Sequence, residues 1–252
     1  MAGHSKWANV KHRKARADAQ KGKVFTKLAR EIMVAAREGG GDIELNFRLR
    51  LAIQKAREAN LPGENINRAI QKGLGGTEGA ALEQVNYEGY GPGGIAVLIE
   101  ILTDNRNRTA PEIRHIFSRR GGSMGESGCV AWMFKRKGYF TLEKQDSLPS
   151  EDDLMTLALE NGAEDFNEEE NNYVIITPPE EFEKMKEAFD EKEIEFSSAE
   201  VTMVPENTIL IDDAEEAARV LRLLEALEEH DDVQNVYANF DISDEIMQSL
   251  DT

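Results

Sequence analysis

Five cations, Lys6, Lys11, Arg13, Lys14 and Arg16, fall within the first seventeen residues of the chain, with Trp7 and His12 set among them and no acidic side chain before Asp18. Lys21, Lys23 and Lys27 continue the run. Ammonium and guanidinium groups at this density neutralise phosphates, and an indole among them can stack on an unpaired base. The set Lys6, Trp7, Lys11, His12, Arg13, Lys14, Lys21, Lys23 and Lys27 therefore reads as a nucleic-acid-binding segment. The alternative is a solvated charge run with Trp7 folded onto its neighbours. A second constellation is DNRNRT, residues 104–109. Arg106 and Arg108 there stand at the start of a predicted helix, whose free N–H groups and dipole favour an anion. The competing reading has Asp104 or Asn107 capping that helix and both arginines paired. Arg119 and Arg120, near its far end, are expected to face the terminal carbonyls.

Other chemistries lack their residues. EGYGPGG, residues 88–94, has no Gly-Lys-Ser/Thr ending and reads as a tight hairpin, not a phosphate cradle. His4, His12, His115 and His230 share no metal-ligand spacing, and NEEENN reads as a solvated turn. Cys129, the single cysteine, sits in the apolar run CVAWMF and reads as a small core residue. One thiol builds no internal disulfide framework, which points to a reducing compartment. No serine or carboxylate stands in a nucleophile or acid–base motif. The expectation is a protein that is not an enzyme, with no cofactor, metal or small-molecule substrate. No apolar run approaches the roughly 18 residues of a membrane span, so no membrane partner is expected.

The elements that must position these residues are legible in outline. Residues 1–72 carry 16 Lys+Arg against 7 Asp+Glu, net +9, whereas the remainder is net −27. A polyanion is thus drawn to one end and repelled by the other. Phe25, Leu28, Ala29, Ile32 and Ala36 recur at helical spacing up to Gly39, Gly40 and Gly41. Leu45, Leu49, Ala52, Ile53 and Ala56 form a second stripe, and LPGENINRAIQKG a third helix, together a basic three-helix bundle. GLGGTEG, residues 73–79, reads as a hinge. Beyond it, IAVLIEIL and CVAWMFKR read as strands around the helix that follows DNRNRT. From Gly138 the order becomes βαββαβ, with Ser150 and Thr177 as helix caps. DDAEEAARVLRLLEALEEH and DVQNVYANF then supply a late helix and strand.

The expected fold class is α+β: an N-terminal three-helix bundle followed by two ferredoxin-like α/β domains, the third domain inserted into the second. The boundaries read as a basic flexible tail at 1–22, the helical domain and hinge at 23–79, a split α/β domain at 80–136 plus 207–240, an inserted unit at 137–206 and a C-terminal tail at 241–252.

Several long motifs, GHSKWANVKHRK, KGKVFTK, REGGGD, YEGYGPGG, DNRNRT with EIRHIFSRRGG, and SAEVTMVP, resemble the YebC/PmpR family over nearly the whole chain. That family includes the mitochondrial translational activator of cytochrome c oxidase. The resemblance implies a basic helical domain and two α/β domains around a cleft, in a cytoplasmic, non-enzymatic protein. It also implies one of two roles, a regulator of transcription bound to DNA or a factor acting on translation at the ribosome, including relief of stalling at proline-rich stretches. The partners implied are ribosomal or transfer RNA, or promoter DNA, with ribosomal proteins as further contacts.

The residues weigh these roles differently. A duplex reader needs an element in a groove, and no helix-turn-helix or ribbon is legible. A basic tail with one aromatic, tied to an acidic body, suits folded RNA with splayed bases. A third possibility is an adaptor whose acidic domains bind a basic protein.

Overall fold

The computed structural model describes residues 18–75, 82–145, 147–169 and 171–243, together with Ile246. Helix α1 (Asp18–Gly39) begins five residues before the expected start at Lys23. With α2 (Phe47–Glu58) and α3 (Gly63–Gly73) it buries Ile32, Ala35, Ala36, Leu49, Ala52, Ile53, Ile66, Ala69 and Ile70 in one core. Gly40, at φ +85°, ends α1 in the left-handed conformation that glycine enters cheaply. Buried Asn46 joins that end to the next helix: its Nδ2 donates to the carbonyls of Ala35 (2.8 Å) and Gly40 (2.7 Å), and its Oδ1 accepts from the Leu49 amide (3.0 Å). A Cβ on Gly39 would meet this side chain at 2.6 Å. Because Asn46 starts α2 at Phe47, Leu45 falls outside the helix and is 84% exposed, contrary to its place on the predicted stripe.

Strands β1 (Glu83–Tyr90) and β2 (Ala96–Thr103) form the hairpin expected of EGYGPGG. Helix α4 (Arg106–Arg119) and the short β3 (Ser123–Met124) follow. CVAWMF is not a strand: a 3₁₀ turn occupies Ala131–Met133, and β4 (Phe134–Glu143) runs without a break through FKR into GYFTLE. Then come α5 (Glu151–Glu160), β5 (Asp165–Glu168), β6 (Asn172–Thr177), α6 (Phe182–Asp190) and β7 (Ser198–Pro205). Ser150 caps α5 as predicted, accepting from the Asp153 amide. Thr177 caps nothing, because a 3₁₀ turn at Pro179–Glu181 separates it from α6 and its hydroxyl is buried beside Gly138.

The chain then returns through β8 (Ile209–Ile211), α7 (Ala214–Glu228), β9 (Val233–Ala238) and β10 (Phe240–Ile242). β4 to β7 form an antiparallel sheet in the order β5-β6-β4-β7, the ferredoxin-like arrangement for a βαββαβ unit. The flanking strands build a second antiparallel sheet, β3-β1-β2-β9, that opens on a hairpin and therefore has a different strand order. Both α4 and α7 pack on one face of it, through Ile113, Phe117, Val220, Leu224 and Leu227 against Val97, Ile99 and Ile101. Ala96, Leu98, Val130, Phe134 and Tyr237 cover the other face. A parallel pair, β8 with β10, adds Ile211, Phe240 and Ile242 to the first core. The class is α+β.

The helical bundle touches both α/β units. Phe47 and Leu51 of α2 pack onto the core of the βαββαβ unit, with the Phe47 and Phe182 rings edge to face at 6.4 Å. Among the described residues, no helix is long and apolar enough to cross a membrane.

Candidate nucleic-acid interface

At the start of α4 the cap is Asn105, whose Oδ1 accepts from the Arg108 amide at 3.2 Å, not Asp104 or Asn107. Arg108 does not reach into open solvent as a free cation. Its Nη2 donates to Asp232 Oδ2 (2.6 Å) and lies 3.2 Å from Asp104. Asp232, at 2% exposure, also accepts from the hydroxyls of Thr103 (3.0 Å) and Thr109 (2.7 Å) and from Arg30 of α1 (3.3 Å). Burial works against its charge, but the donors of Thr109, Arg108 and Thr103 outweigh burial and hold its carboxyl below the usual range. Next to this knot, His230 Nε2 lies 3.0 Å from Glu112. Arg106 is the more exposed of the two arginines, 3.8 Å from Glu83. The structure thus gives Arg108 the structural pairing and Arg106 a single, longer contact.

Helix α1 spends its cations in the same way. Lys23 donates to the carbonyl of Glu229 (3.1 Å), Lys27 to that of Glu228 (2.6 Å) and Arg30 to that of Asp231 (2.6 Å). These carbonyls close the C-terminal end of α7, where the helix dipole favours positive charge. Arg37 reaches the carbonyl of Leu82. The cleft of about 760 Å³ between α1, α4 and the turn after α7 is lined by both signs, Lys23, Arg30 and Arg108 alternating with Asp104, Glu112 and Asp231. Lys6, Trp7, Lys11, His12, Arg13 and Lys14 lie outside the described residues, and Lys21 falls on the first turns of α1. Of the predicted site, then, the structure brings Lys23, Lys27 and Arg108 together, against the turn after α7, and Arg106 stands apart. The exposed side chains of Arg57 and Lys72 make no hydrogen bond or ion pair with another described residue, although the two backbone carbonyls accept from Asn60 and Gly75.

Sequence reasoning missed two features. Helices α2 and α3 are joined by only four residues, 59–62, and α3 turns Asn67, Arg68, Gln71 and Lys72 outward, a helix-turn-helix spacing that the sequence pattern alone does not display. The second is the loop at 125–133. Glu88, 3% exposed, accepts from the amides of Gly128 (2.6 Å), Val130 (2.7 Å) and Ala131 (2.7 Å). Burial opposes its charge, yet these three N–H groups hold it below the usual carboxylate range. Burial and then Glu88 raise the neighbouring Cys129 thiol, which keeps it protonated. The loop carries Trp132 on its outside, and a tryptophan beside the polar, glycine-rich GESG was the available signal. Arg120 is the C-cap of α4, its backbone N–H donating to the carbonyls of Ile116 and Phe117 (3.1 Å each), while the exposed side chains of Arg119 and Arg120 point to no carbonyl or carboxylate among the described residues.

A smaller cleft of about 180 Å³ lies where the three units meet. Lys55 there pairs with Glu200 at 3.4 Å. Burial would depress this ammonium, but Glu31 and Glu200 outweigh it and hold Lys55 above the usual lysine range. Glu100 accepts from Asn235 (2.8 Å) and Tyr237 (3.0 Å) across β2 and β9.

A helical bundle clasped by α/β units, one of which is split around the other, places the chain among known proteins. The chain belongs to the TACO1/YebC family: residues 5–76 match the model of the TACO1/YebC protein N-terminal domain, and residues 82–240 that of the TACO1/YebC second and third domain. More particularly, it is 56% identical over 250 residues to a "Probable transcriptional regulatory protein" of Natranaerobius thermophilus, covering 99% of this chain and all of the relative. A protein of the same name from Pelotomaculum thermopropionicum is 60% identical over 244 residues, 97% of this chain and all of that one. Among solved structures, that of a conserved hypothetical protein of Aquifex aeolicus is similar at 50% identity and a TM-score of 0.80, over 92% of this chain and 94% of that one.

Proposed function

We propose that this chain is a non-catalytic, nucleic-acid-binding regulator of gene expression that holds folded RNA on the ribosome through its basic N-terminal region. The observation that carries the reading is the division of charge, net +9 over residues 1–72 against −27 over the rest. The contacts of α1 refine it. Lys23, Lys27, Arg30 and Arg37 are engaged by backbone carbonyls, and five further cations, Lys6, Lys11, Arg13, Lys14 and Arg16, fall in residues 1–17 with Trp7 among them. Stacking on splayed bases and phosphate neutralisation together suit RNA, and the acid-rich stretch beyond residue 142 is repelled by the polyanion.

The test compares the whole chain with one lacking residues 1–17, which spares α1, on a structured RNA over a range of salt. Removal should weaken binding and flatten the salt dependence, each lost phosphate contact taking about 0.7 to 0.9 from the slope of log affinity against log salt. Trp7→Ala should weaken RNA binding about tenfold or more and leave plain duplex unchanged. Equal affinity and slope for the shortened chain refute the reading.

A second reading rests on α3. Its outward Asn67, Arg68, Gln71 and Lys72, on a helix joined to α2 by four residues, are the side-chain types that read base edges, and the name of the relatives speaks of transcription. It is favoured if the protein prefers a defined duplex over random duplex by roughly a thousandfold and sediments free of ribosomes.

A further inference from the structure

Trp132 is 62% exposed, yet its indole N–H is already satisfied, donating to the Cys129 carbonyl at 3.2 Å. What it offers to solvent is ring. The Tyr90 hydroxyl donates to that same carbonyl at 3.1 Å, so one oxygen anchors both aromatic side chains. Tyr90 is itself partly exposed, at the end of β1. The loop beneath them is fixed: three amides close on Glu88, and the Gly125 amide donates to the Glu88 carbonyl at 2.8 Å. The entropy of ordering both rings is therefore met by the fold and not by a ligand.

The adjoining turn carries small residues and two arginines. Tyr90 pairs with Ser123 across β1 and β3, and the two residues before Ser123 are Gly121 and Gly122, which follow Arg119 and Arg120 at the end of α4. Both arginines are exposed and unpaired among the described residues, and Glu126 is the one acidic side chain of the loop at 125–133. Exposed ring faces with guanidinium groups a few residues away on the adjoining turn are the combination with which proteins hold single strands, because every base has a stacking face and every nucleotide a phosphate. A protein hot spot also uses Trp, Tyr and Arg, but it centres them in an apolar patch. The other large exposed apolar side chains, such as Leu45, Leu159 and Leu210, lie on other elements.

We propose that Tyr90 and Trp132 form a stacking platform for unpaired nucleobases, with Arg119 and Arg120 meeting the phosphates of the same strand. The platform rests on the nucleic-acid reading above and deepens it, adding a second point of contact on the split α/β domain, away from the basic tail.

The test uses the whole chain with Trp7→Phe, so that Trp132 is the only tryptophan. Titration with a short single-stranded oligouridine should quench its emission, and a plain duplex should not. Trp132→Ala should weaken the single strand about tenfold to a hundredfold and leave the duplex unchanged, with no change in melting temperature. Trp132→Phe should keep most of the affinity, and Arg119→Ala with Arg120→Ala should lower both affinity and salt slope. Oligouridine affinity unchanged in Trp132→Ala, or emission unmoved at saturation, overturns the platform alone. If that variant instead loses a purified protein partner, the aromatic pair is a protein contact and the nucleobase proposal fails. A whole chain that binds neither RNA nor DNA overturns the parent reading and the platform together.

Discussion

Asp232 and Glu88 are both buried carboxylates fully furnished with donors, and both are held below the usual carboxylate range, but they are satisfied by different means. Asp232 gathers side chains: Thr103 at the end of β2, Arg108 and Thr109 of α4, and Arg30 of the helical bundle. Glu88 gathers backbone amides from one short stretch of chain. A carboxylate bound by side chains fixes elements relative to each other, and substitution of any donor loosens it. A carboxylate bound by amides fixes the path of one loop and tolerates almost any side chain along that loop. The first organises the contact between bundle and split domain, and the second presents Trp132.

The largest expected effect is that of Asp232→Ala. Arg108, Thr103 and Thr109 lose their common acceptor, and unfolding in urea should show a loss of about 3 kcal/mol. A loss under about 1 kcal/mol would place Asp232 no higher than a surface pair and remove the contrast. Glu88→Gln comes next at about 1 to 3 kcal/mol, because an amide cannot accept from all three N–H groups. It should also shift Trp132 emission and expose the loop at 125–133 to protease, and Asp232→Ala should do neither. Emission changes in both variants would mean that the two carboxylates are one network.

Acid titration sharpens the comparison further. Each carboxylate is held below its ordinary value, 3.8 for Asp232 and 4.5 for Glu88. The stability each contributes is therefore fully present above that value and is lost as pH falls through the depressed one. The fall in unfolding free energy below pH 4.5 should be shallower in Glu88→Gln and in Asp232→Asn than in the natural chain. Parallel curves for all three would break the assignment. The smallest effects separate the two arginines of DNRNRT. Arg106→Ala, which loses only an exposed contact with Glu83, should stay within about 0.5 kcal/mol. Arg108→Ala should lower the melting temperature more than Arg106→Ala does but far less than Asp232→Ala, since Asp232 keeps its threonine donors and Arg30. Equal melting temperatures would return Arg108 to the role of a free anion ligand.

Elements with a strong apolar period were legible. The stripes of α1 and α3, the β2 run IAVLIEIL, the EGYGPGG hairpin and the βαββαβ order all follow from local spacing and turn residues. Misreadings arose where a distant or neighbouring polar group decides the path. CVAWMF has the composition of a strand, but Glu88, some forty residues earlier, draws its amides into a turn. Leu45 fits a helical stripe until Asn46 starts the helix after it. The start of α4 was legible as a helix terminus, but the partner of Arg108 was not, because Asp232 lies 124 residues away in sequence. The charge division is a sum over composition and needed no fold at all.

The route of the chain has a consequence for the order in which the protein forms. β2 pairs on one side with β1, its immediate predecessor, and on the other with β9, where Val97 faces Ala238. During synthesis that second edge stays open until the last strands emerge, while the whole βαββαβ unit, finished at Pro205, is already available to close on itself. The middle domain is thus begun early and completed last. Its long-range pairing makes closure the slow step, and a chain cut short before Val233 leaves an unpaired, apolar strand edge that invites association with another chain.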